Sequence, residues 1–152
     1  DNVSLEVVNV LDGDELLVKT NKSKEFIVHL LGIKAFSQKS REQEISKFGK
    51  RAISELKTTI GQQVHLRFNT FKRDSQGRVW AYLEENGTDV GKKLIKAGFA
   101  VVCERYPFER LEDYLADERI ALRENRGLWA NAKARQRSFA LKNIWEAMSS
   151  DL

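Results

Sequence analysis

The sequence predicts an α+β fold in which five short strands close a small barrel and helices pack around it. Two observations carry this reading. Five segments rich in β-branched or alternating apolar residues, near 3–10, 15–20, 25–31, 63–68 and 78–84, are separated by Gly, Asn and Asp turn signals. Helix-period patterns fall after the third segment and again after the fifth. With 152 residues, the chain is most simply one domain with a sizeable core.

The elements follow in order. Residues 3–10 read as a strand that stops at the turn Asp12-Gly13-Asp14, and residues 15–20 read as the return strand. After a turn at 21–24, residues 25–31 form the third strand of an antiparallel meander, with Phe26, Val28 and Leu30 on one face. Residues 35–44 are polar and aperiodic, so they read as a loop. Phe48, Ala52, Leu56 and Ile60 recur at helical spacing and predict a helix over 46–60, ended by Gly61. Val64, Leu66 and Phe68 alternate in a fourth strand, and the turn Asp74-Ser75-Gln76-Gly77 leads into the fifth. Thr88 reads as the N-cap of a short helix over 89–97 that Gly98 stops. A short extended piece covers 99–103. A further helix is expected over 109–126, with Leu111, Tyr114, Leu115 and Leu122 on one stripe and Gly127 as its stop. The last helix is expected over 133–148, with Leu141, Ile144, Trp145 and Met148 forming its apolar face. This order suits a five-stranded OB-type barrel with three or more helices.

Composition narrows the function classes. Hydrophobic residues make up 41% and charged residues 32% of the chain, as in water-soluble globular domains. No apolar run reaches membrane-spanning length, so no membrane partner is expected. A net charge of +4 is mildly basic and supports polyanion binding only weakly. Cys103 is the single cysteine, so no internal disulfide forms, and it reads as a buried small hydrophobe. Two histidines, His29 and His65, with one cysteine do not give the usual zinc spacings. The chain begins at Asp1 without a Met or a charged-then-apolar leader, which leaves open a trimmed or mature form and a piece of something longer. The compartment is not legible.

Three motifs stand in a telling order. Val10-Leu11-Asp12-Gly13-Asp14 comes first, then Val28-His29-Leu30-Leu31-Gly32-Ile33-Lys34-Ala35-Phe36-Ser37, then Asp74-Ser75-Gln76-Gly77-Arg78-Val79-Trp80-Ala81-Tyr82. Together they resemble the staphylococcal nuclease (thermonuclease-like) family, with its V-x-D-G-D-T, V-R-L-x-G-I-D-A-P-E and D-x-x-G-R-x-L-A-Y. Lys47-Phe48-Gly49 and Gly127-Leu128-Trp129 fit the same pattern at the same spacing. The resemblance covers roughly residues 3–130. It implies a staphylococcal nuclease-like OB-fold domain over 1–130, followed by a C-terminal helical extension over 131–152.

For active members the resemblance implies a calcium-dependent phosphodiesterase. Two Asp residues hold the metal, a Glu activates the attacking water, and two Arg residues neutralise the phosphate. Here Asp14 and Arg78 keep their family letters, and Asp74 keeps its turn. Glu15 replaces the Thr, His29 replaces the first Arg, Lys34 replaces the second metal-binding Asp, Phe36 replaces the Pro and Ser37 replaces the Glu. Losing a general base costs about 10²–10⁴-fold. Exchanging a ligand Asp for Lys swings the charge by two units beside a dication, and each unit is worth several kcal/mol at about 4 Å and an effective dielectric near 20.

The expectation is therefore a catalytically eroded domain, with Asp14, His29, Lys34, Ser37 and Arg78 as vestigial positions. No cofactor is expected; calcium, on Asp14 if anywhere, enters only under the alternative of an active phosphodiesterase with a rearranged site. Residual nucleic-acid binding is assigned to Arg78, Tyr106, Lys72, Arg73 and Lys34, with single strands, weakly held, as the partner. Tyr106 stacks on a base in this reading and is an ordinary loop aromatic in the plainer one. Arg78 grips a phosphate or pairs only with Asp74 or Asp14. Lys34 either fills the vacated metal space and pairs with Asp14 or points into solvent. The C-terminal helix packs on its own barrel or docks a protein or neighbouring domain. A structural role unrelated to nucleic acid is the remaining reading.

Overall fold

The computed structural model describes residues 2–68 and 73–150. The first strands, β1 (Asn2–Asp12), β2 (Glu15–Lys19) and β3 (Glu25–Leu30), make the expected antiparallel meander. A two-residue strand, β4 (Ile33–Lys34), leaves the end of β3, and helix α1 (Gln43–Thr59) follows. Strand β5 (Gln63–Arg67) pairs antiparallel with β1, and β6 (Val79–Glu85) pairs antiparallel with β5. The ring closes where β3 runs parallel to β6, through Val28–Val79, His29–Trp80 and Leu30–Ala81. Closure gives the five barrel strands no free edge and brings the ends of β3 and β6 together. The chain continues through β7 (Thr88–Asp89), α2 (Val90–Ala97), β8 (Val101–Val102), α3 (Leu111–Arg123), a 3-10 turn at Gly127–Ala130 and α4 (Ala132–Ser150). The fold is α+β, with four helices on a closed barrel, and α4 is the additional C-terminal helix.

Strand alternation fills the barrel. Leu16, Val18, Val28, Leu30, Val64, Leu66 and Leu83 are all buried, and Ala52 and Leu56 of α1 join the same core. A second apolar cluster joins Ile45 and Phe48 of α1 to Ala121, Leu128, Trp129, Ala134 and Trp145. That cluster seats α4 on its own domain.

Several boundaries differ from expectation. Helix α1 starts at Gln43 rather than 46, and the Ser46 hydroxyl donates 2.6 Å to the Gln38 carbonyl instead of marking the helix start. Asp89, not Thr88, caps α2, accepting from the Lys92 N–H at 3.0 Å, while Gly98 ends it in the left-handed conformation (φ 78°) as expected. The helix expected over 109–126 stops at Arg123, and left-handed Asn125 (φ 52°) turns the chain into the 3-10 segment. The face of α4 is also shifted. Its contact runs through Ala134, Ser138, Leu141 and Trp145, while Ile144 and Met148 are exposed. Small residues carry the first two turns of this contact, which a hydrophobic stripe does not reveal.

Ion pairs fix α4 as well. Lys142 Nζ bonds Glu118 at 2.6 Å and Glu104 at 2.8 Å, and Glu42 is held by Lys133 (3.1 Å) and Arg137. Glu118 is 8% exposed, and burial pushes its carboxyl up, against the opposing pull of Lys142 and the Val102 N–H. Lys142→Met should therefore strand a buried carboxylate and lower stability by about 3 kcal/mol near neutral pH. The loss should shrink in acid, where protonated Glu118 needs no counter-charge, and this is measurable by urea denaturation at two pH values. An equal loss at both would contradict this role.

Candidate functional site

The site begins at the β1–β2 turn. A Cβ on Gly13 would overlap Ala52 of α1 and lie 2.9 Å from the Ala35 Cβ, so only glycine lets the turn press this close. That approach buries Asp14 and aims it at the exit of β4, where its Oδ2 accepts the Ala35 N–H at 2.9 Å. The Asp14 carbonyl accepts the Leu30 N–H at 2.8 Å. Asp14 is thus a structural tie between the turn and the end of β3.

The mouth of the cleft is built on the β5–β6 turn. Asp74 gathers the N–H groups of Gln76 and Arg78, the Trp80 indole N–H and the Arg78 Nε–H, all at 2.8–2.9 Å. Burial pushes its carboxyl up, but these four hydrogen bonds outweigh that and hold it well below the usual carboxylate range. The other side of the Arg78 guanidinium donates through Nη1 to Glu15 Oε2 at 2.6 Å. The same oxygen lies 3.3 Å from Nδ1 of His29, whose ring sits 4.3 Å from that of Trp80. One cation is therefore shared by two carboxylates from different elements.

Behind this mouth lies a cleft of about 490 Å³, within the usual range for ligand sites. It brings together His29, Lys34, Arg78 and Tyr106 of the expected residues, with Trp80, Cys103 and Arg105 beside them. Asp14, Ser37 and Arg73 do not line it. Ser37 Oγ accepts the Lys39 N–H at 3.0 Å, and Arg73 folds back on its own turn, donating 2.9 Å to the Gly77 carbonyl. Lys72 lies outside the described residues. Lys34 is exposed and enters no ion pair with Asp14; its charge acts on Asp12 and on the Cys103 thiol. Tyr106 is 49% exposed at the rim, with the Arg105 guanidinium 5.0 Å from its ring centre. Leu141 and Trp145 of α4 form one wall. Cys103 is half-buried: it packs against the second apolar cluster and also lines the cleft.

Three contributors are not legible as site residues in the sequence. Glu15 meets Arg78 across 63 positions, and no local pattern announces that contact. Arg105 neighbours Tyr106, and its place beside an exposed aromatic was the available signal. Trp145 reaches the cleft only because α4 packs where it does.

Calcium is the cation that the family pattern implies, and the donor set does not fit it. Asp12, Asp14 and Glu15 are the nearby carboxylates, and Glu15 is held by Arg78 at 2.6 Å. Asp12 Oδ1 is buried without a hydrogen-bond partner, but Asp14 Oδ2 is already committed to Ala35. Burial and then the Asp14 charge push the Asp12 carboxyl up, and the Lys34 ammonium supplies part of the counter-charge. Among the described residues no group of three His, Cys, Asp or Glu side chains converges on one point, whereas calcium takes about six to eight oxygens.

An OB-type barrel with a cleft at this corner and these three motifs defines a nuclease-like domain class. Residues 27–131 match the family described as staphylococcal nuclease homologue, and the chain belongs to that family. It is similar to Endonuclease YhcR of Bacillus subtilis (strain 168), with 25% identity over 134 residues. The match covers 81% of this chain and 11% of that protein, so the chain spans about a tenth of its relative's length.

The clamp around Asp74 has a pH signature. Its folded-state pKa is depressed, so its stabilisation is present above the ordinary value of 3.8 and is lost as the pH falls through the folded value. Asp74→Asn should be less stable than the parent at neutral pH, and the difference should narrow steadily below about pH 4. Denaturant midpoints across that range measure it; parallel curves would contradict the clamp.

Proposed function

We propose that this chain is a catalytically eroded nuclease-like domain that acts as a binding or scaffold module, with single-stranded nucleic acid as the ligand of its cleft. The observation that carries the reading is the state of Arg78. Its guanidinium is neutralised by Asp74 and Glu15, at 2.8 and 2.6 Å, instead of facing an open anion site. The two acids that the family uses beside it are Lys34 and Ser37 here. Removing parts that act together leaves little of the family's route to hydrolysis. No metal or cofactor is required in this role.

Binding falls to what remains unpaired. Lys34 and Arg105 line the cleft and enter no ion pair among the described residues, so both are free to meet phosphates. Tyr106 offers an exposed ring on which a base can stack, and Arg78 lines the same cleft. Arg73 and Lys72 belong to the neighbouring loop and add at most positive potential. A protein partner or neighbouring domain is the other ligand class in this reading, through the exposed side of α4.

The alternative is a metal-dependent phosphodiesterase with a rearranged site, and the similarity to a protein named as an endonuclease favours it. A paired experiment decides. The parent should not cleave single-stranded DNA or RNA with calcium, magnesium or manganese, and calcium should not raise its Tm. It should bind a labelled single strand weakly at low salt, and Tyr106→Ala should cost about 1–3 kcal/mol of that binding. Metal-dependent cleavage that vanishes in Asp14→Ala would overturn the proposal. Absence of any single-strand binding would leave only the scaffold role.

A further inference from the structure

A second face of the molecule carries charge that the cleft does not use. Along α1, Lys47, Lys50 and Arg51 lie on one exposed stripe, with Ser54 and Thr58 continuing it at i+7 and i+11 from Lys47. They line a groove of about 580 Å³ whose other wall is Phe99 and Gly127. A smaller hollow of about 280 Å³ continues it past Phe48 and Asn131, sharing Lys47, Arg51 and Gly127. Across the Arg126-Gly127 turn, Lys93 and Lys96 of α2 line a third hollow with Arg126. The three hollows share no lining residue with the cleft.

The charges on this face are unspent. Lys47, Lys50, Arg51, Lys93 and Lys96 are all exposed, and none enters an ion pair among the described residues. By contrast, Lys92 is held by Asp113 and Asp117, and Arg126 by Glu124. The acids lining the three hollows are Glu44, Glu55 and Asp89, and Asp89 already serves Arg110 and Tyr114. Five unpaired cations against two unpaired carboxylates leave the lining of the three hollows with an excess of positive charge. Such a face attracts a polyanion over a distance comparable to the Debye length, about 8 Å at physiological salt.

The shape selects among polyanions. Among the described residues no exposed aromatic side chain lines these hollows: Phe48 is buried with the Arg51 guanidinium 5.4 Å from its ring centre, and Phe99 is half-buried. Single strands gain much of their affinity from base stacking, which this face does not offer. A duplex has its bases already stacked and presents mainly phosphates, which lysines, arginine and the Ser54 hydroxyl suit. We infer that the α1–α2 face is a non-sequence-specific docking surface for the backbone of double-stranded nucleic acid, separate from the single-strand cleft.

Fluorescence anisotropy with short labelled DNA and RNA duplexes, over a salt series from about 50 to 200 mM, tests it. The parent should bind duplex with a steep salt slope. The triple variant Lys47→Gln, Lys50→Gln, Arg51→Gln should lower that slope by about 2.7, roughly 0.9 per lost phosphate contact. Its Tm should stay near that of the parent, because all three side chains are exposed. Tyr106→Ala should leave duplex binding unchanged, so failure of the cleft reading and failure of this one are separable. Binding of neither duplex by the parent, an unchanged slope in the triple variant, or equally tight binding to polyglutamate or anionic vesicles would overturn the inference.

Discussion

The organisation of the cleft depends on one guanidinium held between two carboxylates. Arg78 reaches Asp74 on its own turn and Glu15 on β2, and Glu15 also faces His29 on β3. Trp80 on β6 completes the set by donating to Asp74. The contacts therefore tie three barrel strands and a turn together at the place where β3 and β6 close the ring. A single cation between two acids leaves no net positive charge at the spot where the barrel closes. Such partly exposed pairs are individually modest, but a shared network with indole and backbone donors is more rigid than an isolated surface pair.

The same economy extends to the other retained family residue. Asp14 is buried because Gly13 lets its turn lie against α1, and one oxygen of its carboxylate accepts the Ala35 N–H. Helix α4 then shapes the remaining space. Ala134 and Ser138 let it approach closely, Lys142 pins it to Glu118, and Leu141 and Trp145 become a wall of the cleft. The family's scaffold is thus retained while the polar groups of its corner turn inward toward one another.

Much of the fold was legible in the sequence. Alternation at Val64 and Leu66 and helical spacing at Ala52 and Leu56 marked side chains that are all buried. These signals work because strand and helix periods dictate which side chains share a face. The less legible features depend on tertiary contact. The α4 contact uses Ala134 and Ser138, whose small side chains carry little hydrophobic signal. The break after Arg123 depends on a left-handed Asn125 that no pattern demanded. At the site, His29, Lys34 and Arg78, which the motifs single out, line one cleft together with Tyr106. The role of Glu15 was hidden, since alternation along a strand turns it away from Asp14 and its partner lies 63 positions on. It does point elsewhere, and the place it points to is Arg78.

The most direct measurement concerns that partner. Glu15→Thr restores the residue type that the family pattern carries after its second Asp and releases Arg78 from one of its two acids. Single-strand binding by this variant and by the parent, followed across a salt series, reports whether the guanidinium becomes available. The predicted result is tighter binding with a salt slope steeper by about 0.7, the value for one added phosphate contact on a single strand. Identical affinity and slope in the two proteins would contradict the claim that Glu15 keeps Arg78 out of use.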